Sequence, residues 1–178
     1  EAEDERDHGR LAEPDEIVSF LSINMPESGK TDKEQPLSSV DGKKILITAG
    51  PTYEPLDPVR FIGNHSSGKM GIELAKKALS LGADVTLIIG PTKIEIPDSL
   101  TTIRVTSAQE MYSACKKQFN RTDICIFAAA VADYTPKIVA PEKIKKSEDE
   151  FNLVLKKNVD IAFEFGKIKK DNQLSVGF

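Results

Sequence analysis

From Lys43 onward the chain alternates short, continuous apolar runs with amphipathic stretches of helical length, and few folds accept that pattern. "KKILITA" (Lys43 to Ala49), "DVTLIIG" (Asp84 to Gly90), "TTIRVT" (Thr101 to Thr106) and "DICIFAAA" (Asp123 to Ala130) read as strands without a solvated face. Such strands are buried on both sides, which requires helices above and below. Apolar residues at Met70, Leu74, Ala78 and Leu81 have helical spacing, so a helix is predicted from about Ser67 to Leu81, ended by Gly82. Ser107 and Glu110 make a capping box for a second helix, "SAQEMYSACKKQFN". "VDIAFEFGKIKK" predicts a third helix and "QLSVGF" a last strand, while "FNLVLKK" reads either as a fifth strand or as part of an excursion. The predicted class is α/β: a Rossmann-like parallel sheet with helices on both faces and a flexible flap or arm excursion.

Residues 1–42 differ in kind. A charge run, "EAEDERDHGR", and linker-like "NMPESGKTDKEQPLSSVDGKK" flank one short apolar stretch, so little apolar surface is expected to be buried there. The compact domain is expected to span 43–178, which is long enough for a proper core. No apolar run reaches membrane-spanning length and no signal peptide opens the chain, so a cytoplasmic protein without a membrane partner is expected. The net charge of −4 argues against nucleic acid as a partner. Cys115 and Cys125 lack C-x-x-C spacing and read as reduced core residues.

"GNHSSGKMG" imitates a phosphate-binding P-loop, with Met70 where the magnesium-binding serine or threonine belongs. About a dozen residues also separate it from the first strand, and the P-loop reading fails on both counts. Two readings survive: an ordinary capped helix with Ser66 and Ser67 as capping candidates, or an anion site built from Gly50, Ser66, Ser67, Gly68 and Lys69 at a helix start. A G-x-G-x-x-G dinucleotide fingerprint is missing too. Gly-Pro-Thr ends both of the first two strands; Gly90 reads as a turn, and Gly50, beside the helix start, as a ligand position. In the long loop between, Asp57 and Arg60 are expected to pair, Asn64 to make a turn and His65 to act as a spacer. The small residues Ala128 to Ala130 would let a flat ligand approach the backbone, and Asp133 would bind a ribose hydroxyl or a metal. Lys143, Lys145 and Lys146 form a basic arm, either a solvated hairpin or a device that neutralises phosphate charge.

Taken together, "ITAGPTYEPLDPVRFIGNHSSGKMG", "AAAVADYTP", "APEKIKK" and the closing "VGF" closely resemble the bacterial phosphopantothenoylcysteine synthetase domain, over about Lys43 to Phe178. "GRLAEPDEI" resembles the end of the decarboxylase domain that precedes this synthetase in bifunctional coenzyme A biosynthesis proteins. The resemblance implies a ligase joining 4'-phosphopantothenate to L-cysteine through an acyl-cytidylate, with CTP as co-substrate, Mg2+ held mainly by the nucleotide phosphates, a homodimer, a fused decarboxylase in the parent protein, and no flavin chemistry here. It assigns Lys143 to charge neutralisation at the α-phosphate and Asn64 to the second step. It assigns Asp133, Phe178, the Phe127, Ala128 and Ala129 backbone, and the Val159, Asp160, Ile161 and Ala162 segment to nucleotide contacts, with the helix start at Ser66 to Met70 as a phosphate site. The family's "KNPD" stands here as "KNVD", and the family continues past "VGF", so a missing C-terminal segment is expected. Two other readings are a non-catalytic nucleotide-binding or dimerisation fragment and an NAD(P)-dependent oxidoreductase, the latter disfavoured by the absent fingerprint.

Overall fold

A computed structural model describes residues 15, 17, 40–146 and 150–178. Five strands, β1 (Lys44–Ala49), β4 (Asp84–Ile89), β5 (Thr101–Arg104), β6 (Ile124–Phe127) and β9 (Leu174–Gly177), form one parallel sheet in the order β5-β4-β1-β6-β9. Among the described residues α1 (Lys69–Ser80), α2 (Ala108–Gln118) and α3 (Ile161–Ile168) cover it. Strand periodicity divides the core. Ile45 and Ile47 of β1 point to the α1 side, where they meet Ile72, Leu74, Leu87 and Ile126. Leu46 points to the opposite side, into a cluster with Met111 and Cys115 of α2, Phe119 of the 3-10 turn after it, Cys125 of β6 and Phe165 of α3. The unbroken apolar strands are thus explained by a sheet covered on both faces.

Several local expectations change. α1 starts at Lys69, and its N-cap is Gly68 in the left-handed region (φ 79°) with no side-chain cap. The serines act one step earlier: Ser66 Oγ accepts the Gly68 N–H and Ser67 Oγ the Lys69 N–H, each at 3.3 Å. A Cβ at Gly68 would also lie 3.1 Å from the Gly50 backbone, so glycine is required by conformation and by close approach. Gly82 does end α1, with φ 88°. The capping box at α2 forms as Ser107 Oγ accepting the Glu110 N–H, but the returning carboxylate takes the Thr106 N–H, one residue early. Glu54, buried in the loop after β1, accepts the Ala108 N–H at 2.9 Å and completes that helix start.

The long loop after β1 contains its own hairpin, β2 (Tyr53–Pro55) with β3 (Phe61–Gly63). "FNLVLKK" belongs to an excursion: β8 (Leu155–Lys157) pairs antiparallel with β7 (Tyr134–Pro136), outside the main sheet. Lys156 and Lys157 are exposed there, which a strand inside the doubly covered sheet would not permit. The expected domain start at 43 leaves out two residues that the core takes in. Val40 is fully buried and Ile17 is 7% exposed against the α1 cluster, with Asp15 paired to Lys77 at 2.9 Å. The remainder of the upstream stretch, "GRLAEPDEI" included, lies outside the described residues apart from those two. Both cysteines are buried and free, as their spacing implied, and burial pushes each thiol up to about 12.

Candidate functional site

The chain runs from β1 through α1 to β4 on one side and returns through α2 to β6 on the other, so strand order reverses between β1 and β6. In open α/β sheets ligands bind outside the carboxyl ends of the strands near such a point. β1 and β6 stay paired past their ends, through the Pro51–Ala130 bridge, and the open space lies beside them at the β6 and β9 ends: a cavity of about 330 Å³ lined by Thr48, Phe127, Ala129, Val131, Ala132, Asp133, Lys157, Asn158, Val159, Asp160, Ile161, Ala162, Gly177 and Phe178. Eight of the residues singled out from sequence therefore share one cavity: Phe127, Ala129, Asp133, Val159, Asp160, Ile161, Ala162 and Phe178. They come from three places far apart in the chain, namely the β6 end, the start of α3 and the β9 end. Ala128 differs, because alternation along the strand packs its methyl into the α1-side cluster.

Asp160 is committed structurally, accepting the Phe163 N–H at 2.9 Å as the N-cap of α3. Asp133, by contrast, is exposed at the cavity wall.

The presumed anion cluster lies across β1 from this cavity. Gly68 presses on Gly50, Ser66 and Ser67 make tight turns, Thr92 donates to the Ser67 carbonyl at 2.7 Å, and Lys69 is exposed. None of Gly50, Ser66, Ser67, Gly68 or Lys69 lines the cavity. Asn64 is the link: its Nδ2 donates to the carbonyls of Ala130 (3.0 Å) and Val131 (3.4 Å), tying the loop before α1 to the cavity wall. His65 is exposed.

Lys143 stands apart from both groups. It lines a separate space of about 890 Å³ with Arg60, Ile144, Lys145, Lys146, Glu150, Phe151 and Asn152. Asp57 and Arg60 pair as expected, and they do more than pair. Asp57 accepts the Ile144 N–H at 3.1 Å while Arg60 donates to the Ile144 carbonyl at 2.9 Å, so both hydrogen-bonding groups of the residue after Lys143 are held. The Arg60 guanidinium, helped by the backbone N–H groups of Val59, Ile144 and Arg60, holds the Asp57 carboxyl well below the usual carboxylate range. Sequence spacing suggested the ion pair but gave no sign of the tether, which joins positions 87 residues apart. Thr52 and Asn158 were likewise missed: Thr52 stands in the sequence only as the end of a Gly-Pro-Thr turn, and Asn158 only as a letter of "KNVD".

A parallel sheet in this order, with a cavity beside the β6 and β9 ends walled by small residues, defines a Rossmann-like α/β domain. The chain belongs to the family described as the DNA/pantothenate metabolism flavoprotein C-terminal domain, whose model matches residues 40–178. It is 51% identical over 173 residues to the coenzyme A biosynthesis bifunctional protein CoaBC of Vibrio cholerae serotype O1, covering 96% of this chain and 41% of that protein. It is 49% identical over 176 residues to a protein named cysteine/cysteine sulfinic acid decarboxylase from an unknown prokaryotic organism, covering 96% of this chain and 46% of that one. The chain thus spans less than half the length of these relatives. The crystal structure of the C-terminal domain of a CoaBC protein is 47% identical, with a TM-score of 0.66 over 78% of this chain and 63% of that chain.

Proposed function

We propose that this domain is the phosphopantothenate–cysteine ligase half of a bifunctional coenzyme A biosynthesis protein, joined in its parent to a decarboxylase. The observation that carries the reading is the cavity beside the β6 and β9 ends, where eight residues singled out from the sequence, six of them through the resemblance, meet in a chain matched to the CoaBC C-terminal domain. In this reading the phosphopantothenate carboxylate attacks the α-phosphate of CTP, pyrophosphate leaves, and an acyl-cytidylate forms. The cysteine amine then attacks the activated carbonyl and expels CMP. Base and ribose occupy the cavity beside Asp133, and the phosphates extend past Asn64 toward Gly68 and Lys69.

In this reading magnesium enters as the counter-ion of the nucleotide, as part of the co-substrate. The Asn64 amide N–H groups are spent on the Ala130 and Val131 carbonyls, which leaves Oδ1 as the acceptor for the incoming amine. Lys143 supplies positive charge at the α-phosphate once its arm approaches the cavity, by closure or from a second subunit. A homodimer has a candidate surface in the exposed apolar residues Val59, Phe61, Tyr134, Ile138 and Val139 on and beside the two hairpins. No helix among the described residues is long and apolar enough to cross a membrane; in this reading the domain works in the cytoplasm, as expected of coenzyme A biosynthesis.

The test incubates labelled CTP and phosphopantothenate with the protein, with and without cysteine, and separates CMP, pyrophosphate and the mixed anhydride. Lys143→Gln removes the cation and should abolish pyrophosphate release. Asn64→Asp sets a carboxylate against two carbonyls and should let the anhydride accumulate while amide formation stalls. Each loss should be at least about a hundredfold. Tighter binding of NADP than of CTP or ATP would overturn the ligase reading in favour of an oxidoreductase. Nucleotide binding without pyrophosphate release would leave a non-catalytic nucleotide-binding domain.

A further inference from the structure

Between the end of β6 at Phe127 and the start of β7 at Tyr134 the backbone forms one wall of the cavity, yet past Ala130 it pairs with no strand. Buried peptide groups without a ladder need other partners. At Ala132, 6% exposed, both are supplied by side chains from elsewhere. The fully buried Thr52 Oγ1 accepts the Ala132 N–H at 3.0 Å, and Asn158 Nδ2 donates to the Ala132 carbonyl at 2.8 Å. The Asn158 backbone N–H then donates to the Asp133 carbonyl at 2.7 Å. One residue thus holds two consecutive carbonyls of the facing wall. It is itself the first residue after β8 and the last before Val159, Asp160, Ile161 and Ala162, which form the opposite wall. Val159 has no ring to restrain φ, so this corner depends on hydrogen bonds rather than covalent geometry.

We propose that Asn158, seconded by Thr52, is the positioning residue of the nucleotide cavity: it staples the Ala132–Asp133 wall to the Val159–Ala162 wall and so sets the spacing that a nucleoside must fit. This rests on the nucleotide reading above and adds to it a residue which shapes affinity through two walls. Widening the cavity weakens ground state and transition state alike, so the effect falls on the nucleotide KM and leaves kcat and the KM values of the other two substrates in place.

The experiment measures CTP and ATP affinity by calorimetry, all three KM values, and the melting temperature for wild type, Asn158→Ala, Thr52→Val and Thr52→Ser. Asn158→Ala and Thr52→Val should each weaken nucleotide binding by about tenfold or more, the scale of a buried hydrogen bond lost with its partner left unsatisfied. Thr52→Ser keeps the acceptor and should bind within about threefold of wild type. Wild-type protein that binds no nucleoside triphosphate overturns the nucleotide reading itself. Wild-type binding that both disruptive variants retain overturns the staple alone. Equal rises in all three KM values, a fall confined to kcat, or loss of the folded state in both variants also overturn it, by making these contacts general scaffolding.

Discussion

Phe165 lies behind the cavity rather than in it, and its removal should show how the Val159–Ala162 wall is held. α3 has eight residues, too few to persist alone, and only Ile161 and Phe165 of them are buried. Phe165 is 1% exposed, with ring centroids 4.7 Å from Phe119, 5.4 Å from Tyr112 and 6.1 Å from Phe127. Phe165→Ala deletes a buried ring where β6, α2 and α3 meet, a change that costs about 3 to 5 kcal/mol. With a urea dependence of about 2 kcal/mol per molar for a domain of this size, the unfolding midpoint should fall by roughly 1.5 to 2.5 M. Nucleotide binding should weaken beyond that loss, because Ile161 and Ala162 reach the cavity from α3. The control is Phe163→Ala on the same helix: Phe163 is 59% exposed with Lys167 Nζ 3.9 Å from its ring centroid, and its loss should cost under about 1 kcal/mol. Urea titrations followed by circular dichroism, alongside calorimetry with CTP, read both quantities. A midpoint shift under about 0.5 M for Phe165→Ala, or equal shifts for the two variants, would refute the view that this ring docks α3.

Asp57→Asn should lower the melting temperature at pH 7 and slow turnover by releasing Ile144. Because the folded carboxyl titrates below its unfolded value, the wild-type advantage is present above about pH 4 and is lost as pH falls through the lowered value. Melting curves from pH 2 to 7 should therefore converge at the acid end, and a constant gap would contradict the assignment. Cys115 and Cys125, raised to about 12 by burial, should resist alkylation in the native protein at pH 8. Their neutral burial favours the fold below the unfolded thiol range, so stability should decline between about pH 9 and 12, and Cys115→Ala with Cys125→Ala should flatten that decline. Ile17→Ala should cost about 2 to 5 kcal/mol in urea denaturation if this buried side chain belongs to the α1-side core, and no measurable change would restore a domain that starts near residue 43.

Much of the fold was legible because its determinants are periodic and local. Ile45, Leu46 and Ile47 are apolar in succession because each side of the sheet is covered, and Leu74 and Ala78 recur on the face of α1 that meets β1. Gly82 and the Ser107/Glu110 pair marked a helix end and a helix start for reasons confined to four residues. The helix before Gly82 was placed two residues early because serines cap well, whereas the approach of Gly50, not adjacent in sequence, makes Gly68 the cap. Residue chemistry suggested the anion cluster, Ala128 to Ala130, Asp133 and Lys143, resemblance supplied the other site residues, and the structure sorted them into a cavity, a loop linked through Asn64, and the separate position of Lys143.

By itself, the sequence determined the alternation of strand and helix, the buried thiols and the Asp57–Arg60 pair, since burial on a repeating face and contact between near neighbours leave a one-dimensional trace. Tertiary structure alone decided that Thr52 and Asn158 hold the same peptide from opposite sides, that Asp57 and Arg60 grip Ile144, and that Ile17 joins the core. Hydrogen bonds to backbone carbonyls and N–H groups leave no such trace, because every residue offers the same partner atoms and only the path of the chain determines which of them come within 3 Å.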